Sequence, residues 1–282
     1  MELIRTAEAM VAWADDARRS GATIGFVPTM GFLHPGHASL MALVRPRCDR
    51  LVVSVYVNPL QFGPTEDLDR YPRDPEGDAA LCRGQGTDVL FAPADLYPTG
   101  FSTSVAVHGL TDTLCGASRP GHFAGVATVC ARLFGVTRAN LAAFGDKDFQ
   151  QLMVIRRMVR DLALPVSIVP GPLVRDVDGV ALSSRNTYLS ASDRTAARTL
   201  HQALFAIRDA AAAGETDPAA LLALGRSRIT CDRLDYLELV DAETLQPATA
   251  VGDRPARALV AAYYGKTRLI DNVGVGPALS WG

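Results

Sequence analysis

The feature that most constrains the fold is the alternation of continuous apolar runs with helical segments up to about residue 169. The runs predict strands at 23–28, 51–57, 87–92, 103–107, 140–144 and 166–169. The helical segments fall at 6–19, 36–47, 74–84, 122–135 and 147–162. Uninterrupted Val and Leu runs separated by helices indicate a parallel sheet covered on both faces. We therefore predict an α/β fold with a doubly wound, Rossmann-like parallel sheet, whose ligands bind at the carboxyl ends of the strands.

The pattern changes after a proline-punctuated segment at 165–172. Ser190 and Asp193 are spaced to form a capping box at the start of a long Ala-rich helix, and a second helix is predicted at 217–229. Strands follow at 234–240, 257–264 and 268–272. The sequence thus predicts a domain of residues 1–173 and a smaller α+β lid domain of residues 174–282, joined by a hinge near 171–175.

Composition narrows the class of protein. The chain of 282 residues is 48% hydrophobic and 21% charged, which is typical of a globular protein. Its net charge of −2 gives no general attraction to nucleic acid or to an anionic membrane. No apolar run is long enough to span a bilayer, the first residues lack a secretory signal, and the five cysteines form no disulfide or zinc pattern. We expect a cytoplasmic protein with neither nucleic acid nor membrane as a partner.

Two histidines lie at the turn between the first predicted buried strand and the helix after it. Pro28 and Gly31 end the strand, and His34 and His37 flank the start of the helix. Free N–H groups and the helix dipole favour an anion there, and Gly36 allows close approach to the backbone. The pattern favours a nucleotide triphosphate over a metal ion, because no nearby Cys, Asp or Glu completes a ligand set.

A second candidate anion site follows the strand at 140–144. Gly145 permits close approach to the backbone, Lys147 offers a mobile charge for phosphate oxygens, and Asp148 can accept from a ribose hydroxyl. Lys147 is notable because the chain has only one other lysine, Lys266. The same residues also fit a plain helix cap, so both interpretations stand.

Three further motifs carry polar side chains at predicted turns. Residues 183–185 (Ser-Ser-Arg) form a candidate anion grip, although such a sequence is also common in loops. The amides of Asn58 and Gln61 suit an uncharged or hydroxy-acid group. Arg119 and His122 precede a helix and fit either a carboxylate site or a loop.

Together these motifs resemble the pantoate–β-alanine ligase family of the nucleotidylyltransferase superfamily. The matching segments occur in the family's order and spacing, at 28–37, 57–62, 119–123, 144–151 and 182–186. The resemblance implies an AMP-forming ligase of pantothenate and coenzyme A biosynthesis. Such an enzyme joins (R)-pantoate to β-alanine through pantoyl adenylate and releases AMP and pyrophosphate.

The resemblance also assigns roles to individual residues. It implies that His37, His34, Lys147 and Arg185 are catalytic. The residues it implies for ATP binding are Met30, Gly31, Phe32, Leu33, His34, Pro35, Gly36, His37, Gly145, Asp146, Lys147, Asp148, Val174, Leu182, Ser183, Ser184 and Arg185. Those for the substrates pantoate and β-alanine are Gln61, Gln151, Asn58 and Arg119.

A magnesium ion and a homodimer are expected from the same resemblance. The expected ligand of Mg²⁺ is Asp78, although Gly77 occupies a position that is acidic in some relatives. Asp146 and Leu182 replace the Glu and Met common in the family, and both changes are mild.

Two other functions fit parts of the pattern. A nucleotidyltransferase that passes AMP or CMP to a phosphate ester would need more positive charge than Gln61 and Gln151 provide. A regulatory module that only binds a nucleotide need not keep every phosphate-facing group, here His34, His37, Lys147 and Arg185. A role on RNA is disfavoured by the sequence pI of about 6.2 and by the lack of a basic appended domain.

Overall fold

The structure, a computed structural model, describes residues 1–64 and 66–281, and the chain forms two compact units. The first unit contains Met1–Thr111, Arg119–Asp146 and Gln151–Pro172. The second contains Asp112–Ser118, Lys147–Gln150 and Leu173–Gly282. Two short segments from the earlier part of the chain therefore belong to the second unit. The division into domains of residues 1–173 and 174–282 stays a prediction.

A six-stranded parallel sheet forms the centre of the first unit. Its strands are β1 (Glu2–Ile4), β2 (Ile24–Thr29), β3 (Arg50–Val55), β4 (Val89–Phe91), β5 (Leu141–Gly145) and β6 (Ser167–Gly171), in the order β1-β4-β3-β2-β5-β6. The helices along this part of the chain are α1 (Ala7–Arg19), α2 (Pro35–Val44), α3 (Pro75–Gly84), α4 (Cys115–Ser118), α5 (His122–Thr137) and α6 (Phe149–Asp161). The predicted parallel α/β fold is confirmed.

Both faces of the sheet are covered, which explains the continuous apolar runs. Consecutive residues Phe26 and Val27 of β2 are each fully buried, although their side chains point to opposite faces. Val27 belongs to a core cluster with Leu40 of α2. Phe26 meets Phe134 of α5 edge-on, with the ring centroids 6.4 Å apart.

The order of the strands reverses at β2. This strand pairs with β3 on one side and with β5 on the other, so the chain winds outward in both directions from it. In open parallel sheets, ligands bind at the carboxyl ends of the strands beside such a reversal. The segment that leads to His34 and His37 leaves the sheet at this point.

The second unit is an α+β assembly. Helices α7 (Ala191–Ala212) and α8 (Pro218–Arg226) accompany an antiparallel sheet of β7 (Arg233–Asp241), β8 (Ala256–Tyr264) and β9 (Thr267–Val275). The core of this unit includes Leu204 of α7, Leu237 of β7 and Val260 of β8, all fully or almost fully buried. The capping box predicted for Ser190 and Asp193 is present at the start of α7.

One prediction of secondary structure was wrong, and one strand was missed. The predicted strand at 103–107 pairs with no strand of the described chain, and its Val105 N–H donates to Thr128 Oγ1 at 2.9 Å. Local alternation of residues favours an extended segment but cannot supply a partner. Strand β1 was missed because three residues are too few to show a period, and its pairing with β4 stabilises it.

Two further observations concern the helices and the cysteines. None of the helices in 1–64 and 66–281 is long and apolar enough to cross a membrane. All five cysteines are free thiols.

Candidate active site

His34 and His37 cap the start of α2 together. His34 is the N-cap residue, and its Nδ1 accepts from the Gly36 N–H at 3.2 Å. The Nδ1 of His37 accepts from the His34 N–H, also at 3.2 Å, and the two ring centroids lie 4.1 Å apart. Because each Nδ1 accepts a backbone N–H, the proton of each neutral ring is on Nε2. Each imidazole is thus a fixed Nε2–H donor.

The start of α2 also suits an anion for a more general reason. The helix has ten residues, Pro35 stands in its first turn, and that turn contains no acidic residue. No carboxylate within the first turn of α2 therefore neutralises the partial positive charge of the helix N-terminus. Two imidazole donors at a helix N-terminus make a site suited to phosphate oxygens.

The turn between β2 and α2 is held by a carboxylate. Gly31 and Phe32 both have left-handed backbone conformations, with φ of 86° and 52°. Asp78 of α3 accepts from the Phe32 N–H at 3.0 Å and from the Leu33 N–H at 2.6 Å, one bond on each oxygen. Its side chain is buried, and burial raises the pKa of Asp78 while the two N–H donors oppose that rise. Asp78 thus stabilises a turn that is costly for a non-glycine residue.

Gln61 is oriented by buried neighbours rather than by solvent. Asn58 is almost fully buried, and its Nδ2 donates to Gln61 Oε1 at 3.1 Å and to the Gly125 carbonyl at 3.2 Å. Tyr97 O–H donates to Asn58 Oδ1 at 2.8 Å. The Nε2 of Gln61 lies 3.2 Å from Met30 Sδ. Asn58 as a substrate-binding residue stays a prediction, and its contacts also fix the amide of Gln61.

Close packing of α5 against the turn at Pro59–Gln61 depends on Gly125. A Cβ at this position would lie 2.1 Å from the Leu60 carbonyl oxygen and 2.6 Å from the Gln61 nitrogen. Any larger residue would push this turn away from the helix. Gly125 therefore fixes where Gln61 lies relative to α5.

A series of polar contacts that starts at Glu66 ends at the backbone carbonyl of Gln61. Glu66 accepts from Arg119 at 2.6 and 2.7 Å, and Arg119 Nη1 lies 2.9 Å from His122 Nε2. His122 Nδ1 lies 2.9 Å from the Gln61 carbonyl oxygen. Since a guanidinium can only donate, the neutral ring accepts at Nε2 and donates from Nδ1 to that carbonyl. Arg119, also predicted to bind substrate, supports the Gln61 turn in this way.

The charge state of Glu66 makes the stability of these polar contacts depend on pH. Burial opposes ionisation of Glu66, but hydrogen bonds and the charge of Arg119 outweigh burial and hold its pKa below the usual range. The ionised form therefore stabilises the fold above pH about 4.3, the ordinary pKa of Glu. That stabilisation is lost as the pH falls through the lower pKa of the folded protein.

Glu66→Gln is expected to lower the free energy of unfolding by about 2 kcal/mol at pH 7, because it removes the carboxylate from a half-buried guanidinium. Urea unfolding of both proteins measures this, and the difference should shrink as the pH falls below about 4.3. Asp161→Asn, which removes an exposed ion pair with Arg160, is the matched control and should have little effect. A difference independent of pH would contradict the assigned role of Glu66.

A cavity of about 270 Å³ lies in the first unit beside the turn that leads to α2. Its lining includes Met30, Gly31, Tyr56, Arg73 and Asp78. Two of the residues predicted for ATP binding, Met30 and Gly31, therefore line this cavity.

The segment with Lys147 lies where β5 ends. Gly145 is the last residue of β5, and Asp146–Asp148 form one turn of 3-10 helix before α6. Lys147 is mostly buried, and its Nζ lies 3.8 Å from Asp148 Oδ2. Gln151 is half-buried in the first turn of α6. Its neighbour Gln150, in contrast, is buried and is bonded to the main chain of Cys115 and Thr113.

The remaining predicted ATP ligands lie in the second unit on a hairpin and the turn after it. Arg175 and Ala181 form an antiparallel bridge, and the Leu182 N–H donates to the Val174 carbonyl at 3.0 Å. Residues Ser184–Tyr188 form a 3-10 helix, and Ser183 caps it. The hairpin thus brings Val174 together with Leu182 and the segment 183–185.

The match to known proteins covers nearly the whole chain. The family model described as pantoate-beta-alanine ligase matches residues 2–274. The chain belongs to the pantoate-beta-alanine ligase family. The resemblance predicted from the five motifs is thereby confirmed.

Individual members of this family are similar to this chain in sequence and in structure. The pantothenate synthetase of Heliobacterium modesticaldum is 51% identical over 98% of this chain and 99% of its own length. The crystal structure of pantothenate synthetase from Thermus thermophilus has a TM-score of 0.92 and 48% identity, over 98% of this chain and 100% of that one. A pantoate-beta-alanine ligase from Francisella tularensis, complexed with beta-gamma ATP and beta-alanine, has a TM-score of 0.80 and 31% identity, over 97% of both chains.

The structure groups the predicted site residues within each unit. In the first unit, residues 30–37 are linked to Asp78, and Asn58, Gln61 and Arg119 form one network. In the second, the hairpin joins Val174 to Leu182. The supporting roles of Tyr97 and Glu66 were missed, because nothing in the local sequence distinguishes these residues from ordinary loop residues.

Proposed function

We propose that this protein condenses (R)-pantoate with β-alanine to form pantothenate, at the expense of ATP. A carboxylate oxygen of pantoate attacks the α-phosphorus of ATP, and pyrophosphate leaves. The amine of β-alanine then attacks the carbonyl carbon of pantoyl adenylate, AMP leaves, and the nitrogen loses a proton. The observation that carries the proposal is the pair of histidines whose Nε2–H donors are fixed at the start of α2.

The histidines act on the first step. As the α-phosphorus is attacked, negative charge grows on its oxygens and on the leaving pyrophosphate. Nε2–H donors held in place by backbone bonds stabilise that charge without having to reorganise. His34 and His37 serve this role as hydrogen-bond donors to the phosphate oxygens.

Cationic and hydroxyl side chains of the second unit bind the triphosphate. Lys147 neutralises charge on phosphate oxygens, and Ser183, Ser184 and Arg185 donate hydrogen bonds to them. The proposed ATP ligands of the first unit are Met30, Gly31, Phe32, Leu33, His34, Pro35, Gly36, His37, Gly145 and Asp146. Those of the second unit are Lys147, Asp148, Val174, Leu182, Ser183, Ser184 and Arg185.

Neutral amides recognise pantoate. Gln61 and Gln151 offer donors and acceptors that suit hydroxyl and carboxylate groups, and Gln61 is also the proposed contact for β-alanine. Asn58 and Arg119 support Gln61 from opposite sides. This neutral surface favours a hydroxy acid over the phosphate ester that a simple nucleotidyltransferase would use.

Magnesium accompanies ATP in the proposed reaction. Within residues 1–64 and 66–281, no group of three His, Cys, Asp or Glu side chains is placed to hold a metal ion. A Mg²⁺ ion that enters with ATP is held mainly by phosphate oxygens and water, with few protein ligands. Asp78 as a magnesium ligand stays a prediction, and its two bonds to backbone N–H groups favour support of the turn.

A cytoplasmic homodimer is part of the same proposal. An uncovered, mainly apolar groove of about 700 Å³ lies in the first unit and is lined by residues of α1, of α5 and of the extended segment 101–105. A second copy of the chain is the proposed occupant, because this segment has backbone groups that pair with no strand of the described chain.

The test of the proposed function is pyrophosphate release by the purified protein with Mg-ATP. Pantoate and β-alanine are added singly and then together. Sustained formation of AMP and pantothenate only with both substrates is the expected result. Failure to release pyrophosphate with pantoate, together with release on a phosphate ester, would replace the proposal by the nucleotidyltransferase alternative.

Asp78→Asn is expected to lower kcat/KM for ATP about tenfold, because the Phe32 and Leu33 N–H groups bond to different oxygens of Asp78 and an amide replaces one of these oxygens by a donor. The loss should be the same at all Mg²⁺ concentrations if Asp78 supports the turn. A loss that excess Mg²⁺ restores would instead identify Asp78 as a metal ligand. Asp217→Asn is the matched control, because Asp217 also accepts from two backbone N–H groups, at the start of α8.

A further inference from the structure

Lys147 has a support in the second unit that the reaction itself does not require. Its carbonyl oxygen accepts from Nδ2 of Asn272 at 2.9 Å. Asn272 lies on β9, 125 residues further along the chain, and its side chain is almost fully buried. A buried amide that donates to a main-chain oxygen helps to fix the position of that oxygen.

Asn272 is itself held in one orientation. Its Oδ1 accepts from Nε of Arg257 on β8 at 2.7 Å, so that its Nδ2 faces Lys147. Arg257 is buried, and its guanidinium lies 4.4 Å from the ring centroid of Phe149, two residues after Lys147. The pair thus contacts the segment 147–149 at two points, through a hydrogen bond and through a cation–π contact.

We propose that Asn272, oriented by Arg257, is a positioning residue that sets the location of the Lys147 ammonium group. This inference rests on the proposed function, in which Lys147 neutralises phosphate charge. Asn272 touches no reacting atom, and it acts through the main chain of Lys147. Since misplacing a charged group by a fraction of an ångström weakens its stabilisation of a transition state, the effect falls on kcat of adenylate formation.

The informative variant is Asn272→Asp. The carboxylate retains the acceptor for Arg257 and is nearly the same size, but it has no donor for the Lys147 carbonyl. We expect pyrophosphate release to fall about tenfold in kcat, with a small change in KM for ATP. Thr199→Val is the matched control. It also removes a hydrogen bond between a side chain and the main chain of the second unit, here the exposed bond that the Thr230 N–H donates to Thr199 Oγ1, and it should leave the rate unchanged.

A carbonyl label gives a readout that does not depend on activity. The chain has two lysines, so growth on lysine labelled with ¹³C at the carbonyl gives two protein signals, from Lys147 and Lys266. Adding ¹⁵N-aspartate assigns one of them, because Asp follows Lys147 whereas Thr follows Lys266. Asn272→Asp should shift the Lys147 carbonyl signal and leave that of Lys266 in place.

A double-variant comparison separates positioning from general destabilisation. If Asn272 acts through Lys147, then Asn272→Asp has no further effect on the rate in a Lys147→Ala background. An additive loss, or an unshifted Lys147 carbonyl signal, would overturn the proposal. A wild-type protein that releases no pyrophosphate with pantoate would overturn the proposed function, and the carbonyl shift would then test the contact alone.

Discussion

Replacement of His37 by alanine is expected to lower the rate of pantoate-dependent pyrophosphate release by about 10²- to 10³-fold. The variant loses the Nε2–H donor proposed to act on phosphate oxygens. It also loses the Nδ1 acceptor for the His34 N–H, which helps to cap α2. Stopped-flow or coupled assays of pyrophosphate with saturating Mg-ATP and pantoate measure the loss.

Two conservative variants separate these roles of His37. Asparagine can place an oxygen where Nδ1 lies, so His37→Asn should keep the cap and the melting temperature but lose the rate. Glutamine can place an N–H group near Nε2, so His37→Gln should retain more activity and less of the cap. Equal activity of the two variants would contradict a role for Nε2–H in the reaction.

Lys147→Ala is expected to reduce the same rate by about 10²- to 10³-fold, equivalent to about 3–4 kcal/mol of transition-state stabilisation. The ammonium group is proposed to neutralise charge on the leaving pyrophosphate, so the loss should appear in kcat of the first step. Lys147→Arg keeps the charge but changes its shape and reach, and it should recover only part of the rate.

The chain provides its own control for this experiment. Lys266 is the only other lysine, and it is exposed in the turn between β8 and β9. Lys266→Ala makes the same change in charge and should leave the rate within a factor of about two, as is usual for a surface substitution. Equal losses in both lysine variants would show that net charge, and not the Lys147 position, determines the rate.

Much of the architecture could be predicted from the sequence because the signals were local and repeated. Strands such as β2 and β3 are buried on both faces, so their residues are continuously apolar. The cap at Ser190 and Asp193 depends on residues three apart and was confirmed. In the same way, the His34 and His37 motif combines a strand end, a glycine and a helix start within a few residues.

The parts that sequence reasoning missed depend on partners distant in the chain. Asp78 supports the turn at Phe32 and Leu33 from α3, about 45 residues away. Asn272 reaches Lys147 from β9. Nothing near either residue indicates its partner, because such bonds depend on how the elements pack. The segment 103–107 shows the opposite error, since its local alternation was present but a partner strand was not found among the described residues.

The course of the chain between the two units has a consequence for protein engineering. The second unit includes segments 112–118 and 147–150 besides the continuous piece from Leu173 onward. A fragment starting at residue 174 would lack the Gln150 side chain, the Phe149 ring against Arg257 and the main-chain partner of Asn272. The buried Nδ2 of Asn272 would lose its bond to the Lys147 carbonyl, at a cost of about 1–3 kcal/mol. The C-terminal piece is therefore not a transplantable module, and recombination between relatives should succeed only when all three segments come from the same parent.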